Sequence, residues 1–221
     1  MRVHIAEACG FCYGVRRAVE LASTAEKGTH TLGPIIHNPQ LVNSLSARGV
    51  SPVDSLQDVA DGSKVLIRSH GVGPHVYEEA EAKHLDVVDA TCPHVKKAQQ
   101  DARKVINDKK ALIIVGEKDH PEVISISQWG CNRAIIIDKV EEAKEIPYCE
   151  HMGVVVQTTF SQSRFKQIES VLAEKTDDLD VYMTICTATR QRQEAAVELA
   201  KKVDAMIVIG GKNSANTGRL A

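Results

Sequence analysis

Short apolar runs of Val, Ile, Leu and Ala recur along the chain, each followed by an amphipathic stretch. The strand-like runs fall at residues 3–8, 31–36, 64–68, 87–90, 111–116, 134–137, 153–157, 181–185 and 205–209. Most lack strict apolar/polar alternation, which is the mark of strands covered on both faces in a parallel sheet. Helical spacing follows at 14–24, 39–48, 74–83, 93–107, 161–175 and 191–202. Pro39, Pro74, Pro93 and Pro121 stand where a first helical turn tolerates a missing N–H. A strand-helix succession of this kind predicts the α/β class with parallel sheets. Two architectures satisfy the pattern: one closed (β/α) barrel, or several small open sheets packed together. Periodicity does not separate them, and no linker or low-complexity stretch divides the chain.

Polar residues change the picture because they collect at the ends of the runs. In parallel α/β proteins ligands bind beyond the carboxyl ends of the strands. There the chain places Cys12, His37, Ser69-His70-Gly71, Thr91-Cys92-Pro93, Glu117-Lys118-Asp119-His120-Pro121-Glu122, Thr158-Thr159, Cys186, and Gly210-Gly211-Lys212-Asn213-Ser214-Ala215-Asn216. Each has an ordinary reading taken alone. A strand-end His is a cap or a solvated side chain, Thr158 and Thr159 are N-caps, and Glu122 is an acid favoured by the dipole of a first turn. Ser214 and Asn216 alone are a polar helix start. Repeated use of one topological position points instead to a shared site. Imidazoles, hydroxyls, an amide and helix N-termini suit a phosphate or diphosphate. Histidine, with a reference pKa of about 6.5, is readily held protonated beside one. The glycines at 210 and 211 do not form a Walker A loop, because its spacing is absent.

Cys12, Cys92 and Cys186 each close an apolar run where a helix begins. Unpaired N–H groups and the helix dipole favour a thiolate there. A structural zinc would draw four ligands, usually as closely spaced pairs, and these three are far apart. Iron–sulfur clusters normally take four thiolates, so three would leave one metal position open. Cys9-Gly10-Phe11-Cys12 is a C-x-x-C that alone reads as a redox pair or half a zinc site. No second C-x-x-C occurs, and Cys131 and Cys149 read as structural. The hydrophobic share of 43% supports a real core, and the aromatic share of 4% makes that core aliphatic. A net charge of −2 argues against a large nucleic-acid surface. No apolar run is long enough to cross a bilayer, and the N-terminus has no secretory pattern. Six cysteines in that setting predict a reducing compartment, the cytoplasm.

The ordered motifs resemble those of the 4-hydroxy-3-methylbut-2-enyl diphosphate reductase family from the first run to the last residue. They are Gly10-Phe11-Cys12-Tyr13-Gly14-Val15-Arg16-Arg17-Ala18, Ile36-His37-Asn38, Ser69-His70-Gly71-Val72, Asp89-Ala90-Thr91-Cys92-Pro93, His120-Pro121-Glu122-Val123, Gln157-Thr158-Thr159, Ile185-Cys186-Thr187-Ala188-Thr189 with Arg192-Gln193, and Lys212-Asn213-Ser214-Ala215-Asn216. The resemblance implies a trefoil of three small parallel-sheet α/β domains around a central [4Fe–4S] cluster. They would span 13–92, 93–182, and 183–221 plus 1–12. It implies one thiolate each from Cys12, Cys92 and Cys186, with the fourth iron taking the substrate hydroxyl. His37, His70, His120, Ser214, Ala215 and Asn216 would line the diphosphate pocket, Thr158 would bond the hydroxyl, and Glu122 would deliver protons. Two electrons from a ferredoxin or flavodoxin would remove the hydroxyl as water and give isopentenyl or dimethylallyl diphosphate. Neither nucleic acid nor membrane enters that picture.

Relatives continue with another strand-helix segment carrying a further serine. The third domain is therefore expected to be truncated and incomplete, with a sheet edge left unpaired. Ala215 stands where many relatives have a second serine, Ile124-Ser125 where a glycine is usual, and Cys9 is an extra thiol. Two other readings compete. One is a non-catalytic module that holds a metal or cluster and binds a phosphorylated ligand or a protein. The other is a dithiol oxidoreductase using Cys9 and Cys12.

Overall fold

A computed structural model describes residues 2–212 and 214–221. Met1, in the segment assigned to the third domain, and Asn213, in the motif around Ser214, lie outside the described residues. The elements in order are α1 (Tyr13–Thr24), β1 (His30–Leu32), α2 (Pro39–Ala47), β2 (Ser51–Val53), β3 (Lys64–Ile67), α3 (Pro74–Ala82), β4 (Asp86–Asp89) and α4 (Pro93–Asn107). They continue with β5 (Ala111–Val115), α5 (Pro121–Trp129), β6 (Ile135–Ile137), α6 (Val140–Glu145), β7 (His151–Val156), α7 (Gln162–Ala173), β8 (Asp178–Tyr182), α8 (Thr187–Ala200) and α9 (Ala215–Leu220). All strand pairs are parallel, in two open four-stranded sheets ordered β2-β1-β3-β4 and β6-β5-β7-β8. Open sheets, not a closed barrel, are therefore the answer to the ambiguity left by periodicity.

The second sheet shows why its strands read as unbroken apolar runs. Successive side chains point to opposite faces. Ile113, Val115, Val154 and Val156 pack with Phe160, Phe165, Ile168 and Leu172 on one side. Leu112, Ile114 and Val155 pack on the other against Ala98, Ala102 and Val105 of α4 and Val123 and Ile126 of α5. In the first sheet Leu66 meets Ala18 and Ala22 of α1, while Val65 packs with Leu56, Val59, Ala80 and Leu85.

Both sheets share one winding, in which the first strand lies between the second and the third. The chain therefore leaves β1 and β3, and likewise β5 and β7, toward opposite sides. That reversal opens a crevice at the carboxyl ends of the two central strands. His37 follows β1, His70 follows β3, His120 and Glu122 follow β5, and Thr158 follows β7.

Two predicted strands do not form. Residues 3–8 and 205–209 carry no strand, and Ile5, Ile207 and Ile209 are 78%, 84% and 91% exposed. Strand propensity expresses itself only against a partner ladder and a face to pack on, and neither run has one among the described residues. The part of the chain after β8 thus contributes helices α8 and α9 without a sheet among the described residues. The 31–36 run is a strand only to Leu32, because Gly33 turns the backbone to φ +70°. The 181–185 run shifts back to Asp178–Tyr182. The short edge strand β2, which contains Pro52, and helix α6 were not anticipated by the pattern, whereas α5 begins at Pro121 and α9 follows Ser214, where helix starts were read but no extent was given.

Candidate functional site

Cys12, Cys92 and Cys186 are the N-cap residues of α1, α4 and α8, and all three thiols are free. Two arginines and two backbone bonds tie these helix starts to one another and to the crevices. Arg17 of α1 donates to the Asp89 and Thr91 carbonyls just before Cys92, at 3.0 and 3.4 Å. Arg192 of α8 donates through Nε and Nη2 to the Gly10 carbonyl just before Cys12, at 3.2 and 3.0 Å. The Cys92 N–H donates to the Ser69 carbonyl and the Cys186 N–H to the Thr158 carbonyl, both at 3.0 Å.

Packing at the first two cysteines is tight. A Cβ added at Gly14 would lie 2.5 Å from Cys92 Sγ, so α1 approaches this thiol more closely than a side chain at 14 allows. Burial pushes the Cys92 thiol up, and Cys12 adds to the effect, while the N–H groups of His94 and Val95 oppose it. Cys186 Sγ accepts the Thr189 N–H at 3.3 Å. Three free thiols, each at a helix start, with Gly14 making room beside Cys92, are a donor set of the kind that suits an iron–sulfur cluster with one position left open. Cys9, three residues before Cys12, is exposed and outside this packing, as are Cys131, exposed past α5, and Cys149, before β7.

The three predicted histidines come together. Ring centroids are 4.4 Å apart for His37 and His70, 5.6 Å for His37 and His120, and 5.5 Å for His70 and His120. His120 caps α5, its Nδ1 accepting the Glu122 N–H at 3.2 Å, so a neutral His120 carries its proton on Nε2. Burial first, then His37, Arg68 and Arg219, pushes the His120 imidazole down to about 4. Burial, then His37, His120 and Arg68, holds His70 well below the usual range, and burial with Arg68 lowers His37. The expectation that these rings sit protonated therefore holds only when an anion supplies the opposing charge. Their nitrogens lie within 4.8 Å of one another, a separation that alone would also admit a metal ion. The guanidinium of Arg68 beside them weighs against a cation and for an anion.

Glu122 is 2% exposed, and among the described residues its carboxyl is held by Thr158. The Thr158 N–H donates to Oε1 at 2.6 Å and the Thr158 hydroxyl to Oε2 at 2.9 Å. Burial pushes its carboxyl up to about 7, with Glu117 adding and the two Thr158 bonds opposing. A carboxylic acid half-protonated near neutral pH is suited to proton transfer.

The turn carrying His70 is fastened to α5. Ser125 Oγ lies 3.0 Å from the His70 carbonyl and 2.8 Å from the Glu122 carbonyl, and accepts the Gln99 amide at 3.2 Å. Trp129 Nε1 donates to the Val72 carbonyl at 2.9 Å. Ser214 caps α9 by accepting the Thr217 N–H at 3.4 Å. With Ala215, Lys212, Glu117, Gly218 and Arg219 it lines a cleft. Asn216 is half-buried in the first turn of α9. Glu117 also lines the larger cleft that holds His37 and His120, and it pairs with Arg219 at 2.8 Å. Roles for Arg17, Arg192, Arg68, Ser125 and Arg219 were not read from the sequence. The one available signal was Arg68, a charged residue closing an otherwise apolar strand.

A sequence model of the family described as "LytB protein" matches residues 3–221. The 4-hydroxy-3-methylbut-2-enyl diphosphate reductase of Pelobacter propionicus is 45% identical over 224 residues, covering 100% of this chain and 80% of that protein. The protein of the same name from Thermoanaerobacter sp. strain X514 is 44% identical, covering 100% and 79%. Among solved structures, the E-1-hydroxy-2-methyl-but-2-enyl-4-diphosphate reductase of Plasmodium falciparum superposes with a TM-score of 0.90 at 29% identity, over 96% of this chain and 69% of that one. A second, described as (E)-4-hydroxy-3-methyl-but-2-enyl diphosphate reductase, the terminal enzyme of the non-mevalonate pathway, gives 0.76 at 42% identity over 99% and 80%. With its motifs, its two sheets and its matched sequence in agreement, the chain belongs to the LytB family, that of the 4-hydroxy-3-methylbut-2-enyl diphosphate reductases.

Proposed function

We propose that the chain reduces 4-hydroxy-3-methylbut-2-enyl diphosphate, taking up two electrons and two protons, releasing the hydroxyl as water and leaving isopentenyl or dimethylallyl diphosphate. One observation carries the reading. A single residue, Thr158, hydrogen-bonds the buried carboxyl of Glu122 and also accepts the N–H of Cys186. Proton delivery and a metal-type ligand are thereby joined at one strand end. A [4Fe–4S] cluster held by Cys12, Cys92 and Cys186 would supply the electrons and a Lewis-acidic position for the hydroxyl. Glu122 in its acid form passes a proton along the Thr158 hydroxyl, which orients the departing oxygen. His37, His70 and His120 grip the diphosphate, and Ser214, Ala215 and Asn216 close the pocket over it through hydroxyl, backbone and amide.

The same reading takes the three domains as 13–92, 93–182, and 183–221 plus 1–12. It takes a ferredoxin or flavodoxin as electron donor and the cytoplasm as the place of action. No helix among the described residues is long and apolar enough to cross a membrane. The test is anaerobic reconstitution, iron and sulfide analysis, and turnover of the diphosphate substrate. Cys92→Ser is expected to lose cluster and turnover together. Retention of both would overturn the proposal. Zinc without sulfide in the purified protein would instead favour a non-catalytic binding module.

A further inference from the structure

We infer that Arg68 is the fixed positive charge of the diphosphate subsite, set at the first crevice among the three imidazoles. The inference rests on the diphosphate reading given above. Arg68 follows β3 directly and stands two residues before His70. Its guanidinium lies across the end of β1: a Cβ added at Gly33 would come 2.5 Å from Nη1. Gly33 has φ +70°, so both the backbone turn and the close approach call for glycine.

Arg68 Nε is buried and has no hydrogen-bond partner among the described residues. Burial alone lowers the guanidinium's proton affinity, and no carboxylate acts against it. A half-buried cation whose Nε is shut off from solvent and which has no counter-ion carries a desolvation cost. An entering anion would offset it.

The surrounding charges agree. Arg68 depresses His37, His70 and His120 alike. Of the acids near the imidazoles, Glu117 pairs with Arg219 and the Glu122 carboxyl is held by Thr158. The cleft that holds His37 and His120 is also lined by Lys118, Asp119, Asp138, Lys139 and Glu142, a set of mixed sign.

Arginine stays charged at every working pH, whereas burial and Arg68 shift the three imidazoles toward their neutral form, a shift that an arriving anion opposes. The subsite thus has a pH-independent part, Arg68, and a pH-dependent part, the histidines, which take up protons as diphosphate binds. Affinity rises as pH falls toward the pKa values of the ligand-free imidazoles. Arg68 keeps those values low, so the rise continues into the acid range. Without it the imidazoles titrate closer to their ordinary value, and the rise levels off at higher pH.

The test is calorimetric titration of the full reconstituted chain with inorganic diphosphate from pH 5 to 8.5. Arg68→Gln is expected to bind roughly tenfold more weakly at pH 8, where the charge alone is removed, and to level off at higher pH than wild type. Arg68→Lys is expected to recover part of the affinity and keep the wild-type pH profile. Wild-type affinity and profile in Arg68→Gln would overturn the inference. Equal weakening in both variants with an unchanged profile would do so too, since it assigns Arg68 a packing role. No binding of diphosphate by the wild type would bring down the diphosphate reading, and this inference with it.

Discussion

Replacing Glu122 with glutamine separates ionisation from hydrogen bonding. Glutamine keeps the shape, its carbonyl can accept the Thr158 N–H, and its amide can donate to the Thr158 hydroxyl. What disappears is the charge. In the wild type the carboxyl is raised from 4.5 to about 7, with burial the first cause. That displacement corresponds to ~3 kcal/mol in favour of the neutral form. The folded protein then holds the proton more tightly than the unfolded chain does. The associated stability is complete below pH 4.5 and falls as pH rises, until it is lost above about pH 7. Above that point the wild type carries a buried carboxylate at a cost the variant escapes. Glu122→Gln should therefore be more stable than wild type by ~1–3 kcal/mol at pH 8 and close to it at pH 5. Urea denaturation of both apo proteins at pH 5, 6, 7 and 8 reads this directly. A stability difference that stays constant across that range would refute the reasoning, because it would mean the carboxyl does not titrate there. The same variant should lose most turnover while keeping its cluster and its affinity for diphosphate, a gain in stability bought with function. Wild-type turnover should decline above about pH 7 as the acid form is depleted.

Two further perturbations probe the scaffold. Gly14→Ala forces a methyl to within 2.5 Å of Cys92 Sγ, against the ~3.5–4 Å that such a contact prefers. The resulting shift of α1 should cost ~1–3 kcal/mol and lower the iron bound per chain after reconstitution, and unchanged iron content with unchanged thermal stability would show the approach to be slack. Ser125→Ala strands the Gln99 amide and the His70 carbonyl, for an expected loss of ~1–3 kcal/mol in urea denaturation. A loss below ~0.5 kcal/mol would mean that these groups find other partners.

The cysteines, the histidines, Glu122 and Thr158 were legible because strand ends are written in the sequence: an apolar run stops and a polar residue follows. The α/β class and most element positions were legible for the same reason. The crevices were not, because strand order depends on which way each crossover turns, and periodicity carries no such information. The runs at 3–8 and 205–209 misled because their composition suits a strand, while the ladder and packing face that a strand needs are not in their own residues. Arg17 and Arg192 were invisible as cross-ties because each acts on a backbone carbonyl 72 or 182 positions away. Any residue type supplies such an acceptor, so no pattern marks it.

Thr158 gives its N–H and its hydroxyl proton to one carboxyl and its carbonyl to the turn of Cys186. A displacement of that turn is therefore felt at the acid through a lever one residue long, with no slack to absorb it. Substitutions that merely nudge the start of α8 should detune proton donation even when every named side chain is intact.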